Sequence, residues 1–281
     1  MNTKSFLAAL CLVPFVAFGA QEGQGRGAQI GALDWHTGPK TEAIAGKATL
    51  NTPDSDTLFI DAANTKKFLQ LTGNIPSDGN FVVLNKKGNW WAAFSFSPMG
   101  YVKDDEKIDA DAILKTIQGG DASGNEERKR LGLPALYTDG WYIPPHYDAQ
   151  TKRLEWGVKL RSEGHINLNY TIRILGRTGV MNATLVSSPE TLDADVTAFK
   201  STLAGFDFNA GERYSEFKQG DRVAEYGLAA LIAGGAAAVA TKKGFWAVIG
   251  GFLAATWKLV VAGVVALGAG LRSVISKRKE S

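Results

Sequence analysis

The stretch KRLEWGVKLRSEGHINLNYTIRILGRTGVMNATLV, residues Lys152 to Val186, decides the fold of this chain. Apolar and polar side chains alternate through its first two parts. The apolar members are Leu154, Trp156, Val158 and Leu160, then Ile166, Leu168, Tyr170, Ile172 and Ile174. The polar members are Arg153, Glu155, Lys159 and Arg161, then Asn167, Asn169, Thr171 and Arg173. A period of two predicts strands with one face buried and the other in water.

Short turns separate these strands. The turn SEG (162–164) lies between the first two, and GRTG (176–179) precedes a third strand, VMNATLV. Three consecutive strands joined by short turns predict an antiparallel β-meander.

Further strands are predicted upstream. The segments FVVLN (81–85) and NWWAAFSF (89–96) flank KKG and form a hairpin, in which Trp90, Ala92, Phe94 and Phe96 share one face. Other strand candidates are ALYTDGWYI (135–143), Ala48–Asn51 and Thr57–Ile60.

Helices interrupt the strands. Asp109 is suited to cap a helix that Gly119 and Gly120 end, and NEERKRLG (125–132) forms a second, solvated helix. Apolar residues from Leu192 to Leu203 recur at helical spacing, and FDF (206–208) returns to the sheet. We therefore predict an α+β domain over residues 30–222, with a few helices on one face of the antiparallel sheet, after a flexible Gly- and Gln-rich segment at 21–29.

The first residues have the composition of an export signal. Residues 1–20 begin with Lys4, continue with an apolar run and end with small residues, which predicts a cleaved signal peptide. An uncleaved anchor is the alternative. The one cysteine, Cys11, lies inside this segment, so the mature chain has no thiol for a disulfide, a nucleophile or a metal site.

The end of the chain is predicted to cross a membrane. Residues 244–271 contain one charge, Lys258, and exceed the roughly 20 residues that span a bilayer. The basic segment 272–281 follows, and the positive-inside rule places it in the cytoplasm. The domain is then periplasmic or otherwise extracytoplasmic, at the bacterial inner membrane.

Lys258 lies on the small-residue face of this predicted helix. The other members of that face are Ala247, Gly251, Ala255, Ala262, Ala266 and Gly270. Such faces pack against other helices, so we predict a contact with a second copy, a membrane-protein partner or the stretch just upstream.

The upstream stretch, residues 223–243, is apolar and rich in Ala and Gly. It is predicted to be a helix at or partly in the membrane interface. A second span, and a soluble hairpin of helices over the whole tail, are the alternatives.

The charge distribution does not favour nucleic acid as a partner. The chain has a net charge of +3, but residues 20–222 contain 23 Lys and Arg against 26 Asp and Glu. The basic excess belongs to the tail, and the domain has no basic stripe.

Motifs for chemistry are sparse. His36, His146 and His165 lack metal-box spacing, and neither a P-loop nor a G-x-S-x-G elbow is present, so no metal or cofactor is predicted. Asp34, His36 and His146 are the candidate catalytic residues. The acids of residues 104–111 could bind calcium, although a solvated loop leading into a helix cap is the preferred interpretation.

The loop GWYIPPHYD (140–148) is the candidate binding surface. Two prolines stiffen it, and four ring-bearing residues surround them: Trp141, Tyr142, His146 and Tyr147. A packed corner with these rings in the core is the alternative.

Four long phrases carry a family resemblance. They are GYVKDDEKIDADAILKTI, NEERKRLGLPALYTDGWYIPPHYDAQTKRLEWGVKL, NYTIRILGRTGVMNATLV and DRVAEYGLAALIAGGAAA. Together they resemble a family of bacterial membrane-anchored proteins described as a domain of unknown function. The resemblance implies an exported domain held by a C-terminal hydrophobic segment, and it implies no activity.

Two function hypotheses follow. The first is a binding or scaffolding module at the periplasmic face of the inner membrane, which makes an enzyme the less favoured class. The second is an envelope hydrolase or metal-dependent enzyme that uses Asp34, His36 or His146.

Overall fold

The structure is a computed structural model, and it describes residues 20–88 and 90–233. Three predicted features lie outside these residues: the signal peptide 1–20 except its last residue, the transmembrane helix 244–271 with its packing face, and the basic tail 272–281. Within the two described ranges, no helix has both the length and the hydropathy that crossing a membrane requires.

The chain folds into eleven strands, five α-helices and one short 3-10 helix, Tyr214–Glu216, in the described ranges. The strands are β1 His36–Thr37, β2 Lys40–Ile44, β3 Ala48–Thr52, β4 Thr57–Ile60, β5 Asn80–Asn85, β6 Trp90–Ser97, β7 Tyr137–Asp148, β8 Arg153–Ser162, β9 His165–Leu175, β10 Val180–Ser187 and β11 Phe206–Phe208. The helices are α1 Ala20–Gly31, α2 Ala62–Leu71, α3 Ala110–Arg130, α4 Leu192–Leu203 and α5 Leu228–Ala233.

Eight strands form one antiparallel sheet in the order β1-β4-β5-β6-β10-β9-β8-β7, and a small sheet has the order β11-β3-β2. The predicted α+β class, the meander β8-β9-β10 and the β5-β6 hairpin are confirmed. FDF forms β11, which pairs with β3 in the small sheet rather than with the meander.

A two-residue turn sets the register between β8 and β9. Ser162 pairs with His165, and the two residues between them, Glu163 and Gly164, have φ angles of 49° and 81°. Positive φ at both central positions is the type I′ geometry, whose twist matches that of a hairpin.

This register sets apolar side chains of one strand beside polar side chains of the next. Trp156 lies opposite Thr171, so the apolar set of β8 and the polar set of β9 share one face of the sheet. The prediction that one face is wet is therefore wrong for β9. Asn169 and Thr171 are only 4% and 7% exposed.

The large sheet is covered on both faces. On one face, Trp90, Phe94 and Tyr170 pack with Phe199 of α4 and with Leu50 of the small sheet. On the other face, Trp91 and Ala93 pack with Phe68 and Leu69 of α2, and Ile30 of α1 joins them. The predicted placement of all helices on one face is therefore wrong, because adjacent residues of β6 are both large and apolar and each needs a cover.

Helix α3 is continuous from Ala110 to Arg130 and passes through Gly119 and Gly120, where the sequence predicts a stop. Its N-cap is Asp109, as predicted, and the Asp109 carboxylate accepts the Ala112 amide at 3.0 Å. The helix ends at Arg130 with Leu131 as its C-cap, and Gly132 follows with a φ of 70°, the left-handed position that glycine favours after a helix.

Side chains of α3 bond the backbone at the outer edge of β7. Asn125 accepts from the Leu136 amide at 2.7 Å and donates to the Leu136 carbonyl at 2.9 Å. Asp121 accepts the Thr138 amide at 2.7 Å, and Gln118 donates to the Thr138 carbonyl at 3.0 Å. These bonds explain why α3 continues past its glycines, since they fix its middle turns to the sheet.

Both ends of the predicted domain extend further than expected. Residues 21–29, predicted to be flexible, belong to α1. At the other end, Val223 bridges to Tyr101, and the Ala229 amide donates to Glu106 at 3.0 Å. The domain therefore continues beyond residue 222, into α5.

Candidate functional site

A buried carboxylate on the α4 face of the sheet is the centre of the candidate site. Glu155 of β8 is 6% exposed and lies opposite Ile172 of β9, within the apolar face. A carboxylate in such a place needs charged or hydrogen-bonding partners. Glu155, Tyr170, Lys200 and His146 are called the Glu155 cluster below.

The partners of Glu155 converge on one carboxylate oxygen, Oε2. The Tyr170 hydroxyl donates a short hydrogen bond to it. The Lys200 Nζ lies 2.7 Å from it, and the His146 Nε2 lies 3.8 Å from it. The Lys200 and His146 side chains are 43% and 54% exposed, so the cluster joins the buried carboxylate to the surface.

Tyr170 is fixed as a donor. Burial raises the pKa of Tyr170, and its hydrogen bond to Glu155 raises the pKa further. The phenol therefore stays protonated at neutral pH. The Lys200 Nζ also lies 5.4 Å from the centre of the Tyr170 ring, a cation–π contact that helps hold the ammonium over the sheet.

The second oxygen of Glu155, Oε1, has a different environment. Among residues 20–88 and 90–233, no group donates a hydrogen bond to it, and the hydrogen bond from Tyr170 goes to Oε2. Oε1 can therefore accept a hydrogen bond from an external donor, beside the exposed His146 imidazole and Lys200 ammonium.

The predicted aromatic surface is not a loop. Residues 140–148 lie in β7, the last strand of the sheet, and the register with β8 shifts on both sides of Ile143. Proline has no amide to donate, and bulges of this kind accommodate Pro144 and Pro145 in an edge strand.

The four predicted binding residues do not meet. Tyr142 donates to Asp193 of α4 at 3.0 Å, and His146 faces Glu155. Trp141 donates from Nε1 to the Ala110 carbonyl of α3 at 3.1 Å, and Tyr147 donates to Asp104 at 2.8 Å. Strand alternation sends the first two to the α4 side and the last two to the α3 side, so the ring set is divided between two environments.

The acidic residues 104–111 act separately. Asp104 binds Lys152 at 2.8 Å and Tyr147, Glu106 binds the Ala229 amide, and Asp109 caps α3. Burial acts to raise the pKa of Asp104, but hydrogen bonds from Lys152 and Tyr147 outweigh it and hold the pKa below its usual value. In the described part of the chain, no three His, Cys, Asp or Glu side chains form a group that could hold a metal ion.

His36 pairs with a residue that the sequence did not indicate. Its Nδ1 lies 2.9 and 3.0 Å from the two carboxylate oxygens of the buried Glu42. Asp34, the predicted neighbour, is exposed, and no hydrogen bond or ion pair joins it to His36. The Glu42 carboxylate orients the imidazole through Nδ1.

Of the Glu155 cluster, only His146 could be selected from the sequence. Glu155 and Tyr170 are members of alternating strands in the sequence pattern, and no motif distinguishes Lys200. One signal in the sequence could have indicated Glu155. It is the only acid in LEWGVKL (154–160), the central part of a strand whose other residues are apolar or basic.

The family assignment rests on most of the chain. Residues 36–268 match the family model described as Protein of unknown function (DUF2167), and the chain belongs to that family. No curated protein matches the sequence.

A solved structure with some likeness is the solution structure of cyanobacterial PsbP (CyanoP) from Synechocystis sp. PCC 6803. The two sequences are 11% identical, and the match covers 63% of this chain and 92% of that one, with a TM-score of 0.34.

Proposed function

We propose that this protein is a binding module of the bacterial cell envelope. In this proposal the α+β domain lies at the periplasmic face of the inner membrane, residues 244–271 anchor it, and a protein partner docks on the surface around the Glu155 cluster. The partner would contribute a hydrogen-bond donor to Glu155 Oε1.

The observation that carries the proposal is the arrangement around the Glu155 carboxylate. A charge with low exposure destabilises the fold unless it is paired. The partners of the Glu155 carboxylate also reach the surface. A docking group at Oε1 would meet an acceptor that is fixed in place by Tyr170 and Lys200. Preorganised polar groups of this kind favour binding because little order is lost when the partner arrives.

The same arrangement favours binding over catalysis. Tyr170 holds its proton because its pKa is raised, and Lys200 is engaged in an ion pair with Glu155. Neither group is therefore prepared to act as a nucleophile or base, which would require a deprotonated amine or phenol.

The test is recovery of a partner by crosslinking in intact cells. Full-length tagged protein is crosslinked, purified in mild detergent and compared with the His146→Ala and Lys200→Ala variants. Lys66→Ala is the matched control, because Lys66 is also a half-exposed helical lysine in an ion pair, with Asp78 at 3.0 Å, and lies on α2.

We expect a specific crosslinked protein from the wild type and from Lys66→Ala, and at least a tenfold loss of it from the two cluster variants. Equal recovery from all four proteins would refute docking at the Glu155 cluster. A replacement of residues 234–281 by an unrelated anchor tests the role of the tail, and the junction follows Ala233 because α5 belongs with the domain.

The hydrolase alternative is favoured by one observation, the His36–Glu42 pair. A carboxylate that orients an imidazole is half of an acid–base arrangement. Alanine at His36 would then abolish the phenotype that the wild-type gene restores in a deletion strain, without changing the circular dichroism spectrum. Full complementation by His36→Ala would exclude this alternative.

A further inference from the structure

A stack of three aromatic rings presents Phe217 to the solvent. The Phe217 ring is centred 4.2 Å from the Tyr101 ring, which stacks at 4.4 Å on the Tyr214 ring. Tyr214 is buried, and its hydroxyl donates to the Val102 carbonyl at 2.9 Å. Phe217 itself is 38% exposed. Its ring therefore lies at the surface on a buried aromatic support.

Val223 extends this apolar surface. The Tyr101 amide donates to the Arg222 carbonyl at 2.8 Å, and the Ala224 amide donates to the Tyr101 carbonyl at 2.8 Å. This pairing places Val223, which is 40% exposed, beside Tyr101. Phe217 and Val223 thus both border Tyr101, and the three residues are called the Phe217 patch below.

The turn between Phe217 and Val223 is fixed by Asp221. Its carboxylate accepts two hydrogen bonds from the Arg177 guanidinium and one from the Lys218 amide, each at 2.7 Å. The exposed side chains of Lys218 and Arg222 flank the patch, and neither forms a salt bridge with another described residue. Glu225 is the exposed acid that follows. The rim therefore carries two unpaired cations beside one acid.

The patch lies at one end of the large sheet. Arg177 belongs to the turn between β9 and β10. Lys152, just before β8, has its Nζ 5.0 Å from the centre of the Tyr214 ring. The turn Glu163–Gly164 is at the opposite end of β8, about 30 Å away along the strand.

The chain leaves the described domain at the same end. Asp104 binds Lys152, and Glu106, two residues further on, accepts the Ala229 amide of α5. Helix α5 ends at Ala233, and residues 234–243 connect it to the predicted membrane helix. Even when fully extended, this connection spans at most about 40 Å. An anchor at 244–271 would therefore keep this end of the domain near the bilayer.

The composition of the patch suits the headgroup region of a membrane. Aromatic rings are enriched at that depth, and basic side chains beside them attract anionic headgroups. Isolated apolar side chains are common on protein surfaces, but Phe217 and Val223 share one rigid support and lie at the end from which the chain departs.

We propose that the Phe217 patch, with Lys218 and Arg222 at its rim, is a contact surface for an anionic phospholipid bilayer. The inference rests on the membrane anchor of the proposed function, and it adds an orientation to the domain. Glu155 is three residues from Lys152 along the chain, about 10 Å from this end of the sheet. A partner that docks at the Glu155 cluster would then be met close to the membrane surface.

The test reconstitutes the full-length protein in vesicles of phosphatidylcholine and phosphatidylglycerol. In a Cys11→Ala background, which has no other cysteine, Gln219→Cys carries a fluorophore in the turn of the patch. His165→Cys carries the same fluorophore at the opposite end of the sheet, and both positions are exposed. A lipid with a nitroxide on its headgroup is the quencher, and flotation of the vesicles measures membrane association separately.

We expect the label at Gln219 to be quenched several-fold more strongly than the label at His165. Phe217→Ser should reduce the quenching at Gln219, because the apolar contact with the interface is lost. Lys218→Glu leaves the ring stack in place and should reduce the quenching only in vesicles that contain phosphatidylglycerol. Lys86→Glu is the matched control without effect, since Lys86 is an exposed lysine in the β5–β6 turn at the opposite end.

Four outcomes would overturn the proposal. Equal quenching of the two labels in protein that floats would refute the patch contact and leave the anchor intact. A label at Gln219 that is shielded from both the nitroxide lipid and aqueous iodide would show that protein covers the patch instead. Folded Phe217→Ser and Lys218→Glu variants that both keep the wild-type quenching would show that the tether alone causes proximity. Protein that does not float would refute the anchor of the proposed function together with the bilayer contact.

Discussion

Replacing the three glycines inside α3 by alanine should stabilise the protein. Gly119, Gly120 and Gly124 lie within the helix, and a Cβ added at any of them meets no atom within 4 Å. None of them has a positive φ. Their substitution therefore removes a conformational cost of glycine without adding a steric one.

The magnitude follows from helix propensity. Glycine is about 0.8–1.0 kcal/mol less favourable than alanine in an exposed helix interior, so the triple variant should gain about 2.5–3 kcal/mol. For a chain of this size, about 1 kcal/mol raises the unfolding midpoint by roughly 2–4 °C. Each single variant should show about one third of the total gain, because the helix keeps its contacts with Leu136 and Thr138.

The assay is urea unfolding of the full-length chain in mild detergent, followed by circular dichroism. Gly132→Ala is the matched control and should be destabilising, by about 1 kcal/mol, because Gly132 has a φ of 70° at the end of the same helix. If Gly119→Ala and Gly120→Ala lower the stability as Gly132→Ala does, a helix end lies at these glycines, and the continuous α3 is refuted.

Three further perturbations test other parts of the structure. Glu155→Gln should lower the free energy of unfolding by about 1–3 kcal/mol. The loss is smaller than for a fully buried pair because Lys200 can be rehydrated. An unchanged denaturation midpoint would contradict the contacts of the cluster. Asn125→Ala should leave the Leu136 amide and carbonyl without partners, at a cost of about 1–3 kcal/mol, and should speed hydrogen exchange at Leu136 more than at Leu168 in the centre of the sheet. Two hydrogen bonds, the larger effect from Arg177 and the smaller from the Lys218 amide, lower the pKa of Asp221 to about 2. The contribution of Asp221 to stability is therefore complete above its ordinary pKa near 3.8 and is lost as the pH falls toward 2. Asp221→Asn should therefore flatten the acid dependence in that interval, and a carboxyl NMR titration that puts Asp221 near its ordinary pKa would contradict the ion pair.

The strands were predictable because their signal is local. Alternation in residues 152–186 and the paired tryptophans of β6 locate the meander and the hairpin, and the structure confirms both. The covering of both sheet faces was not predictable in this way. It depends on the type I′ turn at Glu163–Gly164, which aligns Trp156 with Thr171, and on where α2 and α4 pack afterwards.

The candidate site was harder to predict for a similar reason. Glu155 and Lys200 are 45 positions apart in the sequence, and they meet because α4 packs on the face of the sheet that holds Glu155. His36 was selected with Asp34, its near neighbour in the chain, but it pairs with Glu42 on a separate strand. Histidine candidates could be found by residue type, whereas their carboxylate partners depend on tertiary contacts.

The contacts between α3 and β7 also determine how the sheet can meet another copy of itself. Polymerisation through strand addition needs a long edge with unpaired amides and carbonyls. At one edge, Asn125, Asp121 and Gln118 already occupy such groups, and Pro144 and Pro145 interrupt the remainder. At the other edge, β1 is only two residues long. At high protein concentration this sheet should therefore not template fibril formation while α3 stays folded. Aggregation by strand addition would first require α3 to detach from β7.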